Sequence, residues 1–367
     1  MLKLTAGRHF IVLPLFLLIL TSHSFISSAQ NITSPRTPSP GATVSQTIGI
    51  STVSISYSRP SVKGRKIWGA LVPYGYNKQA FGAGNEAPWR AGANENTVIR
   101  LSHPANIEGH PVPAGDYGLF FVINEDNTGE VILSKDSRSW GSFWYVGDHD
   151  LFRAKIALKD VAPTEMLTYE FNNLTKTSAE LDLNWEKKQF PVRIDFDVDA
   201  IVMANAVEEL KGPVGFNWQG FASAANYALT NKVNLPQAMV WIDRAILISP
   251  NFNTLSTKAK LVQLNGNTTQ SDSLMHQAIA VGTENDLNQY GYQLLNDNLY
   301  DRAIEVFILN TQKNPKSANT FDSLGEAYVA KGDKKNAILS FKRSLSMNPP
   351  APTRLNSEKF LKQLGAL

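Results

Sequence analysis

The segment YGYQLLNDNLYDRAIEVFILNTQKNP, residues 290–315, is followed by LGEAYVAKGDKKNAILSFKRSLSMNP, residues 324–349. Residues recur between the two segments at a spacing of 34, among them Gly291 and Gly325, Ala303 and Ala337, Phe307 and Phe341, Pro315 and Pro349. Apolar residues within each copy recur at helical spacing, and the proline stops the second helix. Each copy is therefore predicted to be a pair of antiparallel helices, in which small residues allow close approach and large residues fill the gaps between units.

This unit resembles the tetratricopeptide repeat, and its clearest copies span residues 285–315 and 317–349. Two degenerate copies precede them, with second-helix patterns at Ala238, Ile242, Ala245 and Pro250 and at Ser271, Met275 and Ala278. Residues 355–364 are predicted to form a capping helix. Because one hairpin cannot bury its own apolar face, a stack of three or four is expected. The resemblance implies a protein or peptide partner on the concave face; a generic helical bundle is the alternative.

The N-terminal half has a different pattern. It holds 14 of the 24 glycines, between Gly41 and Gly147. Polar and apolar residues alternate in four short segments, which are predicted strands: 52–57, 97–101, 117–123 and 130–133. Further strands are predicted at 151–158, 167–171 and 179–185. Short strands separated by turns predict an antiparallel β-sandwich or barrel. Helical spacing begins after Asp199, so the predicted fold class is a β domain followed by an all-α repeat array.

The most individual part of this half is RPSVKGRKIWGALVPYGYNKQAFGAGNEAPWRAGANE, residues 59–95. The motifs YSRPSVKGRKIWG, LVPYG and WRAGANENT, with GDYGLF from Gly115 and LTYEF from Leu167, resemble the bacterial domain of unknown function 2911 family. The resemblance covers about residues 31–190. It implies an exported protein of a Bacteroidetes-like bacterium, and it implies no particular chemistry. Residues 77–88 look like an insertion that lengthens a loop.

Two interpretations of residues 59–95 are open. In the first, cations and aromatic residues bind an anionic or carbohydrate ligand, because guanidinium groups pair with carboxylate or phosphate and tryptophan stacks on a sugar face. The candidate binding residues are Arg59, Lys63, Arg65, Trp68, Trp89, Arg90, Asn94 and Glu95. In the second, the arginines pair with local carboxylates or carbonyls and only pin the loops, while the tryptophans belong to the core. Long loops inside a compact domain are uncommon unless functional, which keeps the first interpretation open.

The first 29 residues are predicted to be a secretory signal peptide. Lys3 and Arg8 give a basic start, residues 10–20 are largely apolar, and small residues end the segment at Ala29. This apolar run is shorter than the ~20 residues of a membrane helix, and no later segment is predicted to span a membrane. Removal of the signal lowers the net charge from +3 by two, and the mature chain is expected in the periplasm or secreted. The absence of cysteine excludes disulfides and thiol chemistry.

Other candidate chemistry is weaker. Three histidines and three aspartates of the β half lack the short spacings of a metal site, and we interpret the histidines as loop residues: His103, His110 and His149, with Asp116, Asp148 and Asp150. No metal is therefore predicted.

Three further acidic residues alternate where the β half ends: Asp195, Asp197 and Asp199. They lack the glycine turn and distal glutamate of a calcium loop, and we interpret them as a solvated strand edge. No dinucleotide-binding, P-loop or serine-nucleophile motif occurs, so no cofactor is predicted. The near-neutral charge argues against a nucleic-acid partner.

The predicted organisation has five parts: a signal peptide (1–29), a leader arm (30–43), a β-sandwich domain (44–199), a helical linker (200–221) and a repeat domain with a capping helix (222–367). We expect a non-catalytic binding or scaffold protein. Its β domain would bind a small polar or glycan ligand, and its repeats would bind a protein.

The alternative is an envelope hydrolase of glycan or peptide, with a site around Arg65, Arg90 and Glu95. Paired carboxylates such as those of Glu95 and Asp116 would then carry the chemistry. No catalytic residue is assigned.

Overall fold

The computed structural model describes residues 38–367. The predicted signal peptide and most of the predicted leader arm lie outside these residues. The described part is an antiparallel β domain followed by ten α-helices, which confirms the predicted order of fold classes. Within residues 38–367, none of the helices is both long and apolar enough for a bilayer crossing.

The β domain is built from two larger sheets and one small hairpin. Its strands are β1 (Gly41–Ile48), β2 (Ser51–Ser58), β3 (Asn77–Lys78), β4 (Glu86–Ala87), β5 (Thr97–Leu101), β6 (Ala105–Ile107), β7 (His110–Val112), β8 (Gly115–Ile123), β9 (Thr128–Ser134), β10 (Asp150–Ala157), β11 (Lys159–Asn172) and β12 (Ser178–Asp195). Six strands form one sheet in the order β1-β2-β5-β8-β9-β10, and four form the other in the order β11-β12-β6-β7. β3 and β4 pair with each other inside the segment predicted to be an insertion.

The two larger sheets share one apolar core, as a β-sandwich requires. Alternate residues of β2 point inward, and Val53 and Ile55 are fully buried. The opposite sheet contributes Leu183, Trp185 and Phe190 from β12 to the same core. Period-two alternation therefore places one face of each strand in the interior.

The helical part is a row of four hairpins with a final helix. Its helices are α1 (Val198–Glu209), α2 (Trp218–Asn231), α3 (Leu235–Ile248), α4 (Phe252–Leu264), α5 (Thr268–Val281), α6 (Glu284–Asn296), α7 (Tyr300–Lys313), α8 (Ala318–Lys331), α9 (Lys334–Ser346) and α10 (Ala351–Gln363). The hairpins are α2–α3, α4–α5, α6–α7 and α8–α9, and α10 packs on the last of them.

The recurring glycine and phenylalanine lie against each other inside a hairpin. A Cβ atom at Gly291 would lie 2.5 Å from the ring of Phe307, and one at Gly325 would lie 2.7 Å from the ring of Phe341. The ring thus occupies the space that the missing side chain leaves on the partner helix. The ring of Phe341 also stacks on the Phe360 ring of α10, with centroids 5.1 Å apart, so it contacts the next unit as well as its own hairpin.

Helix α1 joins the two parts of the chain. Val198 and Ile201 pack against the sandwich core, whereas Met203 belongs to the core of the α2–α3 hairpin. The carboxylate of Asp197 caps the helix by accepting from the Ala200 N–H at 3.0 Å. Asp199, in the first turn, accepts from the Tyr227 hydroxyl at 2.8 Å.

The interpretation of Asp197 and Asp199 as a strand edge was therefore wrong, since β12 ends at Asp195. A carboxylate at a helix N-terminus satisfies free backbone N–H groups, which explains acidic residues at this junction.

Candidate functional site

A cavity of about 450 Å³ opens beside the segments that follow β2 and β4. Five of the eight predicted binding residues line it: Lys63, Arg65, Trp89, Arg90 and Asn94. The other described lining residues are Pro38, Ser39, Pro60, Ser61, Leu71, Val72, Gly92, Ala93 and Trp185. Among the described residues, the lining thus carries three cations and no carboxylate.

An aromatic cluster forms the inner wall of this cavity. Trp89 stacks on Trp185 with ring centroids 5.8 Å apart and an interplanar angle of 17°. Trp68 packs edge-on against both rings, at 5.7 Å and 5.8 Å, but does not line the cavity. Two backbone hydrogen bonds of 2.9 Å between Trp89 and Phe121 fix the wall to β8. Trp68 is therefore a core residue that supports the wall.

Arg90 is the best-positioned cation of the cavity. Its Nη1 donates to the Asn94 carbonyl at 2.8 Å, and its guanidinium carbon lies 4.8 Å from the centre of the Phe143 ring. Burial lowers the pKa of the Arg90 guanidinium. No carboxylate within residues 38–367 forms an ion pair with it. A desolvated guanidinium without an acid partner attracts an anion.

Glycine at 141 makes room for this guanidinium. A Cβ atom at Gly141 would lie 2.5 Å from three atoms of the Arg90 head group. The φ angle of Gly141 is +58°, in the region that glycine tolerates best. The loop that follows β9 is therefore shaped around Arg90.

Lys63 and Arg65 form the outer rim and are exposed. Arg65 donates from Nε to the Val62 carbonyl at 3.0 Å and from Nη2 to the Ser61 carbonyl. The Lys63 backbone N–H donates to the Glu165 carboxylate at 2.9 Å, so this contact does not involve the Lys63 ammonium. The rim loop is thus fixed through its backbone.

The motif WRAGANE follows an unusual backbone path along the cavity. Ala91 and Asn94 have φ angles of +54° and +62°, which residues other than glycine rarely adopt. The Ala91 carbonyl accepts from the Thr97 and Tyr169 hydroxyls, both at 3.0 Å. A Cβ atom at Gly92 would lie 2.8 Å from the Thr97 hydroxyl. Strained backbone that the surroundings hold in place is concentrated at functional sites.

Two other predicted residues lie away from the cavity lining. Arg59 donates to the Leu167 carbonyl at 2.9 Å and to the Thr168 hydroxyl at 2.6 Å, which pins its loop to β11. Glu95 lines a separate surface depression beside β1 and β2. Asp116, its suggested carboxylate partner, instead forms a two-bond ion pair with Arg100, at 2.6 Å and 2.8 Å.

The lining also contains residues that the motif did not identify. Trp185 comes from β12, about a hundred positions after the motif, and the sequence marked it only as a strand residue. No sequence pattern linked it to the loop. Its indole nitrogen is buried and has no hydrogen-bond partner within residues 38–367.

The histidines occupy three separate environments. His110 lies in β7 and stacks on Phe152 at 4.7 Å, so its placement in a turn was wrong. His149 contacts the Asp136 carboxylate at 2.7 Å, and His103 contacts the Ser102 hydroxyl at 2.9 Å. Within the described residues, no group of three or more metal-ligating side chains is placed to hold an ion.

Several solved structures are similar to part of the chain. PilF of Pseudomonas aeruginosa is 20% identical over 41% of this chain and 71% of its own, with a TM-score of 0.28. YrrB, described as a TPR protein with an unusual peptide-binding site, is 16% identical over 44% of this chain and 89% of its own, with a TM-score of 0.27. MamA is 15% identical over 40% and 86%, with a TM-score of 0.27. No curated protein matches the chain.

A family model matches the β domain. The matched residues are 39–194, which begin just before β1 and end in β12. They contain every motif that carried the resemblance. The range of the resemblance, about residues 31–190, begins slightly earlier in the chain. The model is that of the family described as "Protein of unknown function (DUF2911)", and the β domain of this chain is similar to that family.

Proposed function

We propose that this chain is an exported binding protein whose β domain holds a small ligand with a carboxylate or phosphate group. The observation that carries the proposal is the cavity beside Arg90, where three cations face an aromatic wall. Its volume of about 450 Å³ lies within the range of small-molecule sites, roughly 300–1,000 Å³. Export is supported by the sequence pattern of the first 29 residues.

The charges favour binding over hydrolysis. A glycosidase needs two carboxyl groups about 5–10 Å apart across the substrate. The described lining of this cavity has none, because Glu95 and Asp116 lie elsewhere. The role proposed for the site is therefore to hold an anion, with Arg90 and Arg65 as donors.

The repeat domain is proposed to bind a protein or peptide. Four stacked hairpins form the extended surface that repeat proteins use for partners. Within residues 38–367, the main packing partners of helices α2–α10 are other helices. The two domains would then couple a small ligand to a protein partner on one chain.

The ligand proposal is tested by thermal shift with the mature chain. Inorganic phosphate, citrate, galacturonate and neutral glucose are the probes. We expect the anions to raise the Tm, Arg90→Ala to abolish that rise, and Arg100→Ala to leave it unchanged, because Arg100 is exposed and paired on the domain surface. A chain that responds to no anion, or responds equally after Arg90→Ala, would contradict the proposal.

The partner proposal is tested with the full chain as bait. Glu326→Lys reverses a charge on α8 that lies partly buried beside α10. A protein retained by the native chain and by Arg100→Ala, but lost with Glu326→Lys, would support binding at the repeats. Equal retention of the protein by all three chains would contradict a binding site on the surface of α8 beside α10.

A further inference from the structure

Next to the cavity lies an exposed aromatic surface that the proposed function does not use. Phe81, at the tip of the β3–β4 hairpin, has 65% of its surface exposed, and Trp144 has 50% exposed. Their rings meet edge-on at 6.1 Å, and Phe81 meets Phe143 at 5.7 Å. We call Phe81, Phe143 and Trp144 the aromatic platform. Large apolar side chains grouped on a surface mark interaction sites.

The platform is attached firmly to the cavity. The Ala83 N–H donates to the Phe143 carbonyl at 2.8 Å, and the Asn85 amide donates to the Tyr145 carbonyl at 3.2 Å. Glycine is required at position 82, because a Cβ atom there would lie 2.1 Å from the Phe143 carbonyl oxygen. Arg90 lines the cavity and also lies over the Phe143 ring, so the platform begins where the cavity ends.

The chemistry of the combined surface selects one class of ligand. A pyranose ring has an apolar C–H face that stacks on an aromatic side chain, and its hydroxyls accept from nearby amides. Gln79 and Asn85 carry amides on the hairpin, and each donates one N–H to a backbone carbonyl and has a second N–H for a sugar hydroxyl. The cations of the cavity complement an acidic group. An oligosaccharide with a carboxylate or phosphate matches both parts, because its acidic group pairs with the cations and its apolar sugar face stacks on the platform.

We propose that the aromatic platform is a second subsite for an acidic oligosaccharide, whose charged sugar lies in the cavity and whose next sugar stacks on Phe81 and Trp144. This inference rests on the proposed function, since the acidic group occupies the same cavity. It gives a role to the insertion at residues 77–88, which carries Phe81.

Calorimetric titration of the mature chain tests the subsite. The probes are galacturonate, trigalacturonate and neutral maltotriose. We expect trigalacturonate to bind about tenfold more tightly than galacturonate, and maltotriose not to bind. Phe81→Ala with Trp144→Ala should reduce trigalacturonate affinity to that of galacturonate and leave galacturonate unchanged. Phe216→Ala is the matched control, because Phe216 is 77% exposed in the helical part.

Five outcomes distinguish failure of the subsite from failure of the ligand site. Equal affinity for galacturonate and trigalacturonate, or no effect of the double variant, overturns the subsite while leaving the cavity proposal intact. Binding of phosphate without either uronate does the same. Platform-dependent sedimentation with phosphatidylglycerol vesicles, without trigalacturonate binding, overturns it in favour of a membrane. If the native chain binds none of the anions, both proposals are overturned.

Discussion

At the scale of single residues, the site depends on what surrounds Arg90. Its guanidinium donates to the Asn94 carbonyl and lies over the Phe143 ring, in a space that exists because residue 141 is glycine. Sequence reasoning found Arg90 because it lies in a short motif together with other lining residues. It did not find Trp185, because residues that meet through sheet packing have no fixed spacing in the sequence.

Gly141→Ala is predicted to weaken anion binding without removing any ligand-binding side chain. The new Cβ atom would lie 2.5 Å from the guanidinium and would displace it. The positive φ angle adds about 1 kcal/mol of strain. Gly109→Ala is the control, because Gly109 also has positive φ but nothing lies within 4 Å of the added atom. We expect both variants to lose Tm to a similar extent, and only Gly141→Ala to lose the rise of Tm with phosphate. A Gly141→Ala chain that keeps this rise would refute the role of Gly141.

Asp182→Asn is predicted to stabilise the protein at neutral pH. The Asp182 side chain is buried, Oδ2 accepts from Asn172 at 2.9 Å, and Oδ1 has no partner within residues 38–367. Burial raises the pKa of its carboxyl from 3.8 to about 6. The folded chain therefore binds this proton more tightly than the unfolded chain, and stability falls as the pH rises from about 4 to 6.

Unfolding in urea at pH 7.5 and pH 4 measures this effect. We expect Asp182→Asn to add about 1 kcal/mol at pH 7.5 and almost nothing at pH 4. Asp126→Asn is the control, since hydrogen bonds from Thr128 lower the pKa of that carboxyl and no gain at neutral pH should follow. A gain from Asp182→Asn that is the same at both pH values would show that ionisation is not its cause.

At the scale of elements, the repeats were predictable because their packing recurs along the sequence. The 34-residue spacing identified the α6–α7 and α8–α9 hairpins, and the second-helix patterns of the two degenerate copies fall in α3 and α5. The start of α1 was harder to predict from the sequence. Asp195 ends a strand and Asp197 caps a helix, but both belong to one alternating sequence pattern. Alternation over five residues does not separate a strand from a capped helix start.

Gly325→Ala is predicted to destabilise the repeats by about 1–3 kcal/mol. Alanine normally stabilises a helix interior relative to glycine by about 1 kcal/mol. Here the added Cβ atom would lie 2.7 Å from the buried ring of Phe341, so the clash outweighs the helix preference. Chemical denaturation followed by circular dichroism measures the loss. Gly212→Ala, where the nearest atom would be 3.4 Å away, should change little; a stabilised Gly325→Ala chain would show that the ring moves freely.

At the scale of the whole molecule, α1 determines whether the two domains behave as one body. One end of this helix belongs to the sandwich core and the next turn belongs to the first hairpin. The order of the domains followed from composition and periodicity. The contact between them did not, because a linker and a packed connecting helix have the same helical spacing.

Val198→Ser is predicted to release α1 from the sandwich. Val198 packs against the sandwich core and fills the space above Gly49, where an added Cβ atom would meet it at 2.6 Å. Trypsin cleavage after Lys211, an exposed residue just past α1, should then become several-fold faster. Val207→Ser, at an exposed position of the same helix, is the matched control. Equal cleavage of both variants would indicate that Val198 does not anchor the helix.

The pairing of β12 with β6 has a consequence for the order in which the chain folds. Ile194 pairs with Ile107, so the second sheet cannot form until β12 is available. The repeat helices, by contrast, pack mainly on helices that are next to them in the sequence. Folding rates fall as contacting residues lie further apart in sequence. After dilution from denaturant, helical signal should therefore return before the tryptophans of the cavity wall become buried, and the ligand site should be the last part of the molecule to form.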